Sequence, residues 1–477
     1  MKISKNQVLT AIIIIVVMVL LLPKSSLNSF DGFEMLLFII IGFISIVEII
    51  KEIKKRSYSL NLIHWLFVFF FYYLAPIQQI ANDYQPWGLS IGPSDVNKTC
   101  CIIILWILVY KIGYRFFSKK NEKKEIQNER IVENINISNI SLVIVTLINI
   151  VCGIFFIKSI GFSNLFARKT STLSLEAVTG SSKQIINLLL DHGLKSIIPF
   201  STAISLINYI QNKKGIIFLI INAIILLIVC FPTGLGRSEA ANMYLGLFVI
   251  LLYRRIDKNR KSLKYILLFI SSFIIVFPAI NAFRNISFGK VDIKQEIVTT
   301  IDDISNTYLA GDYDAFTMIN QTRLYANEND VTYGRQLLGA ILFFVPRKIW
   351  IDKPLGSGYS IFSSLDKAFK NVSCPLIAEG YINFGVFGVI LFALLFSILT
   401  CYIDNCYWDM INQDEKISIN LLTILYPFLL PSYYILQRGD LLSILPFTVA
   451  IIVAFSFMFK VVKIFSININ NKVEATK

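Results

Sequence analysis

Five charged residues fall where long apolar runs begin or end: Arg237, Arg284, Glu379, Arg438 and Asp440. Arg237 lies in Thr233-Gly-Leu-Gly-Arg-Ser-Glu239, just before one run, and Arg284 just after another. Glu379 opens a third, and Arg438 with Asp440 forms the turn between the last two. Unpaired charge at the edge of an apolar layer costs about 2–3 kcal/mol or more, so a chain that keeps several such residues uses them for pairing or for a ligand. Guanidinium forks grip phosphate oxygens two at a time. Arginines gathered at one depth therefore fit a phosphate or pyrophosphate carried on a lipid. Glu379 beside them suits a general base for a hydroxyl acceptor, or a group that holds an arginine in place. The competing account is snorkelling or mutual pairing, Arg237 with Glu239 or Arg438 with Asp440. It serves each residue singly and is weaker for the group, because separate turns supply charge to one face.

Other chemistry-bearing residues add less. His64 falls near the inner end of an apolar run and reads as a packed residue. His192 precedes another run on the opposite side and is a candidate for acid–base work, or a plain loop histidine. The seven cysteines show no metal-ligand spacing and no disulfide framework. No phosphate-cradling glycine loop or dinucleotide fingerprint is present. No metal and no cofactor is expected.

The elements that must position these groups are membrane helices. The chain of 477 residues is 55% hydrophobic and only 16% charged, against roughly 25% charge in soluble domains. The apolar runs do not alternate as barrel strands do, and many approach the ~20 residues that cross ~30 Å of hydrocarbon as a helix. Spans are expected at about 8–22, 33–50, 60–80, 97–117, 139–158, 196–210, 215–232, 240–253, 265–283, 376–402, 418–436 and 441–462. The first resembles a signal peptide but lacks a small-residue cleavage site, so it reads as a retained helix. The expected class is all-α: a polytopic bundle of about 12 transmembrane helices. Residues 1–283 carry nine spans, 284–375 form a large extracytoplasmic loop between the ninth and tenth, and 376–477 carry three spans and a cytoplasmic tail. The charge supports this topology. Lys51, Lys54, Lys55, Arg56, the run Lys119–Lys124 and the cluster Arg254–Lys264 fall on the cytoplasmic side, while the short outer loops hold only Lys24, Lys98, Arg237 and Arg438. The net charge of +14 thus reports orientation, with both termini cytoplasmic, and not nucleic-acid binding.

The large loop is divided by charge. Acidic residues dominate residues 291–330, where Ile297, Ile301, Ile304 and Tyr308 have the spacing of an amphipathic helix. Residues 331–375 are basic, with Arg335, Arg347, Lys348, Lys353, Lys367 and Lys370. Within them, the apolar piece 337–350, interrupted by Pro346, Arg347 and Lys348, reads as interfacial or re-entrant. Arg168 and Lys169 add cations in the other long outer segment.

The segment Phe344-Val-Pro-Arg-Lys-Ile-Trp-Ile-Asp-Lys-Pro354 resembles the outer-loop signature of the Wzy-type O-antigen and capsular repeat-unit polymerases. So do Glu379-Gly-Tyr-Ile-Asn-Phe-Gly-Val-Phe-Gly388, Arg438-Gly-Asp440 and Gly236-Arg237. The resemblance covers roughly residues 230–450. It implies a membrane glycosyltransferase that joins undecaprenyl-pyrophosphate-linked oligosaccharides on the outer face of the bacterial cytoplasmic membrane. A chain-length regulator protein is a further partner it suggests. By motif, Arg237, Arg284 and Arg438, with Arg347 and Lys353, become candidates for pyrophosphate recognition, and Glu379 for acceptor activation or support. Arg335, Lys348, Asp440, Arg168 and His192 are further substrate-binding candidates.

A flippase of lipid-linked oligosaccharides would share the helices and the cations, but it calls for charge midway through the spans and short loops. The loop of about 90 residues favours an enzyme. An O-antigen ligase would share the chemistry with another acceptor. A small-solute transporter calls for paired broken helices, which the sequence does not suggest.

Overall fold

The computed structural model describes residues 30–125, 137–162, 182–232, 235–255, 311–367, 369–413 and 419–474, with residues 135, 165, 308 and 309 beside them. The spans expected at 8–22 and 265–283 lie outside the described residues. So do Arg168, Arg284 and the expected helix around Ile297, apart from Tyr308. Side chains at 119–125, 182–191, 237–238, 252–255 and 467–474 are likewise outside the description.

Every regular element among the described residues is helical. Six helices are long and apolar enough to cross a bilayer: α1 (Gly32–Lys55), α2 (Leu60–Ala81), α3 (Pro93–Glu125, apolar to Ser118), α4 (Asn139–Ile160), α11 (Leu376–Gln413) and α13 (Leu441–Glu474). Between them lie α5 (Ser182–Asn212), α6 (Ile216–Val229), α7 (Arg237–Arg255) and α12 (Leu421–Arg438). Residues 308–375 carry three shorter helices: α8 (Ala315–Asn329), α9 (Arg335–Ile341) and α10 (Ser357–Ser364). The expected spans at 215–232 and 240–253 differ from expectation in length. At 1.5 Å per residue the 14 residues of α6 reach about 21 Å, short of ~30 Å. Pro232 follows three residues after Val229, and a proline drives the residue before it out of the helical region.

Local sequence explains the starts. Asp31 and Glu34 form a reciprocal capping box at the head of α1, and Lys54 and Lys55 close its last turn. Ser59 caps α2 through the N–H of Leu62. Within α2 the stretch Val68–Leu74 widens into a π-turn that closes one residue before Pro76. Proline there lacks the N–H that would continue the ladder.

Outward faces identify the solvent. On α1, Phe33, Leu36, Ile39 and Phe43 are each at least half exposed. Val151 on α4 and Ile217 on α6 are exposed in the same way, each within a stripe of aliphatic neighbours. Water would penalise such stripes and hydrocarbon accepts them; the chain is an integral membrane protein. Its interior forms two apolar clusters, one centred on α1, α2, α3, α8 and α11, the other on α4 to α7 and α13. Helix α12 joins them, giving Tyr426 and Leu430 to the first and Ile424 and Phe428 to the second. Helices α3 and α11 approach closely where Gly113 faces Ser397, since small residues let backbones meet.

The end of the bundle remote from residues 311–375 is cationic and tightly wired. Asp404 is fully buried and accepts from the N–H groups of Leu60 (2.9 Å) and Asn61 (3.1 Å) and the hydroxyl of Tyr426 (2.6 Å). Arg56 lies 3.5 Å from the same carboxylate. Nearby, Glu48 collects Lys51, Lys111 and Arg115 within 3.2 Å.

At the other end α8 inverts the usual pattern. It is polar, yet Asn320, Thr322 and Arg323 are buried against α3 and α11, with Arg323 2.6 Å from Asp95. The described part of the large loop is therefore a folded layer seated on the helices.

Candidate functional site

The turn between α12 and α13 organises this end. Asp440 is 7% exposed; one oxygen accepts from the N–H groups of Leu442 (2.9 Å) and Ser443 (3.4 Å), the first turn of α13. Its other oxygen takes the N–H of Gly358, in the first turn of α10, at 3.1 Å. Glu379, 1% exposed in the first turn of α11, accepts from Leu441 N–H (3.0 Å) and from the Ser357 hydroxyl (2.8 Å). Two carboxylates thus fasten α10, α11 and α13 by orphan N–H groups at helix starts, where negative charge is favoured. Burial pushes the Asp440 carboxyl above its usual range, opposed by its backbone N–H donors.

Gly356 lies directly against this latch. A Cβ there would collide with the Asp440 carboxylate. Gly356→Ala should therefore lower thermal stability in detergent by about 1–3 kcal/mol, the usual range for overpacking, and an unchanged melting curve would show that the carboxylate yields freely.

Arg438 pairs across the loop layer. Its guanidinium lies 3.5 Å from Asp314 and 3.7 Å from Asp312, and not against Asp440 as adjacency in sequence suggested. Asp314 is fully buried and also accepts from the Ser373 hydroxyl (2.6 Å) and the Trp87 indole N–H (2.8 Å). The Arg438 side chain keeps 31% exposure, so part of the fork faces outward. His64 completes the inner side. It is buried, stacked on Tyr110 at 3.7 Å, and its Nδ1 meets Gln437, the neighbour of Arg438, at 2.7 Å.

The basic stretch after α9 is bonded mostly to itself. The Lys353 ammonium donates to the carbonyls of Leu342, Phe343 and Val345 at 2.7–3.0 Å, and only 5% of the residue is exposed. Burial and neighbouring Arg347 push its pKa down to about 8. Arg347 donates to the carbonyls of Lys353 and Pro354, and Arg335 to that of Asp352. Lys348 is exposed on the turn between them.

A second feature lies on the other side of α12. There a narrow cleft opens between α5, α7, α12 and α13. Its polar wall is His192, Ser196, Glu239 and Asn242; its apolar depth is Met243, Phe428, Phe447, Ile451 and Phe455. His192 Nδ1 is 3.5 Å from Glu239, its ring lies 4.0 Å from that of Phe447, and the buried Lys195 ammonium is 3.9 Å from Glu239. Helices α7 and α12 run antiparallel in a fixed register. The Ser432 hydroxyl meets Asn242 at 3.1 Å and Gly246 sits under the Phe428 ring. That register sets Arg237, the first residue of α7, level with the last turn of α12 and Arg438.

Of the residues singled out in the sequence, the fold brings Glu379, Asp440 and Arg438 to one turn, with the start of α7 at the same level. It places His192 in the cleft and Arg335, Arg347, Lys348 and Lys353 in one loop. Asp312, Asp314, Lys195, Ser357 and Asn242 were not singled out. Asp312-Tyr-Asp314 carries a faint sequence signal as part of the acidic stretch; the others carry none, because only tertiary packing brings them here.

Comparison with known proteins gives one match. A family model described as O-antigen polysaccharide polymerase Wzy matches residues 6–360. The match takes in the first half of the chain, which sequence motifs had not reached, and stops short of Glu379 and Arg438. No curated protein and no solved structure matches. With a polytopic helical body and a family match over most of its length, the chain belongs to the Wzy family of O-antigen polysaccharide polymerases.

Proposed function

We propose that the protein joins undecaprenyl-pyrophosphate-linked oligosaccharide repeat units into O-antigen or capsular polysaccharide on the outer face of the bacterial cytoplasmic membrane. The observation that carries this reading is the cleft with an apolar floor and a charged mouth, level with the starts of α7 and α13. An isoprenoid chain suits Met243, Phe428, Ile451 and Phe455, and a pyrophosphate at the mouth lies beside Lys195, level with the start of α7 and the turn that carries Arg438. In transfer, an acceptor hydroxyl oxygen bonds to the anomeric carbon of the growing chain. The carbon–oxygen bond to pyrophosphate breaks, and its electron pair leaves with the pyrophosphate. Fixed cations in a water-poor site stabilise that developing charge. The hydroxyl proton passes to a base, for which His192, held 3.5 Å from Glu239 in the cleft, is the candidate. Glu379, with both oxygens engaged, holds the loop layer on α13 and so positions Arg438.

The remaining charge pattern supports this orientation. The Arg56 and Glu48 end carries the cations that the positive-inside rule assigns to the cytoplasm, which leaves the loop layer outside. The chain termini then lie in the cytoplasm, and a chain-length regulator has the loop layer to dock on.

Deleting the gene in its host and separating surface polysaccharide on gels tests the function. A polymerase deletion leaves acceptor bearing a single repeat unit and removes the ladder; complete loss of repeat units contradicts the reading and indicates a flippase or ligase. Complementing that host with Phe447→Asp should fail to restore the ladder at normal protein level, because a carboxylate replaces the ring on which His192 rests. Restored full-length polymer would remove the cleft from the account.

A further inference from the structure

The loop layer is apolar where it should be polar. Leu338 (51%), Ile341 (52%), Phe344 (55%), Ile349 (78%) and Ile351 (80%) are exposed on the stretch from α9 to residue 354. In the same layer Asn320, Thr322 and Arg323 are buried. A segment bathed in water would not turn its large aliphatics outward while its polar residues are enclosed.

Depth explains the exposure. Helix α11 has 38 residues in two parts, and the 28 residues after Gly385 (386–413) run about 42 Å, more than the ~30 Å of hydrocarbon. It breaks at Phe384 and Gly385, where Gly385 has φ 62°. Before the break Ile377, Ala378 and Ile382 are fully buried; after it Val386 and Phe387 are 50% and 66% exposed. The bilayer-facing surface of α11 therefore begins at the break. The stretch leading into and opening α9 is bonded at that level: Thr332 N–H donates to the Ile382 carbonyl at 2.8 Å, Leu337 N–H to Asn383 at 3.0 Å, and Gly334 sits against the Phe384 ring.

We infer that residues 338–351 form an interfacial wedge, sunk into the outer leaflet beside α11 and α13, whose ligand is the lipid at the headgroup–acyl boundary. The exposed aliphatics continue the bilayer-facing surface that starts at Val386. Lys348, exposed between Phe344 and Ile349, has the reach to meet lipid phosphate, as cations do on interfacial elements. The carbonyl cage around Lys353 and the bonds of Arg347 close the stretch into a fixed shape, so the aliphatics are held outward and not free to fold back. The inference stands on exposure and depth, and holds whichever lipid-linked substrate the cleft accepts.

Nitroxide depth measurement tests it on the full-length protein in phosphatidylethanolamine–phosphatidylglycerol proteoliposomes. Labels are placed at Ile349→Cys and Ile351→Cys, with Glu328→Cys, exposed at the end of α8, as the water-facing comparator. Cys101 and Cys406, the cysteines that are not buried, are replaced by serine. The labels at 349 and 351 should collide with oxygen and lose collision with a water-soluble nickel chelate, which the label at 328 retains. Equal access to the chelate at all three sites would overturn the wedge. Access to neither reagent at 349 and 351 would also overturn it, since protein and not lipid would then cover them.

Discussion

Arg438→Ala is expected to slow repeat-unit polymerisation about 10²–10³-fold, the range for losing one preorganised donor to a developing anion. The effect has two sources, and they separate. Arg438 lies within 4 Å of Asp312 and Asp314, so its removal also leaves a fully buried carboxylate without its cation, which destabilises. Arg438→Lys keeps the charge beside Asp314 but loses the planar fork. It should preserve the melting temperature and still lose most of the activity, because lysine is a point charge where bidentate grip is needed. Activity is read from polymer length in a complemented deletion host, stability from melting of the purified protein. Arg438→Lys with full-length polymer at normal yield would reduce Arg438 to a structural partner of Asp314.

Asp404→Ala should be the most damaging change to stability, about 3–5 kcal/mol, the cost of breaking a buried ion pair from one side. Its carboxylate starts α2 by taking two backbone N–H groups, accepts from Tyr426, and faces Arg56, itself 7% exposed. Truncation leaves a buried guanidinium facing Glu52 at 4.0 Å as its remaining carboxylate among the described residues. The expected result is little protein in the membrane fraction and a sharply lowered melting temperature. Because the pair lies at the end remote from the cleft, any variant that does accumulate should keep the wild-type rate per molecule. Wild-type melting would mean that the network contributes no net stability.

The sequence made the helical class and six of the twelve expected spans legible, because a bilayer imposes a long apolar run on every crossing. The same rule overestimated α6, which has 14 residues. There Pro232 follows soon after the last turn, and hydropathy averages over the break. The charged turn at Arg438 and Asp440 was also legible, since charge at the edge of an apolar run is conspicuous. Which charge meets which was not. Adjacency suggested Arg438 with Asp440, but Asp440 is drawn to the N–H groups of α10 and α13, and Arg438 to carboxylates more than a hundred residues away. Lys353 and Arg347 read as ligand-binding cations by type; packing turns their donors onto loop carbonyls. Glu379 read as a base, yet both of its oxygens are engaged in holding helix starts.

Photo-crosslinking addresses the central claim most directly: that cations from distant parts of the chain meet at one end of the bundle to hold a phosphorylated lipid over the cleft. A polyprenyl pyrophosphate carrying a diazirine near its first isoprene unit would be irradiated with the purified protein in nanodiscs, and the adducts mapped by mass spectrometry. The account predicts adducts on α5, α7 and α13 near His192, Met243 and Phe447, competed by unlabelled polyprenyl pyrophosphate and lost in Arg438→Ala. Adducts confined to the cationic end around Glu48 and Arg56, or scattered over the bilayer-facing stripes without competition, would contradict it.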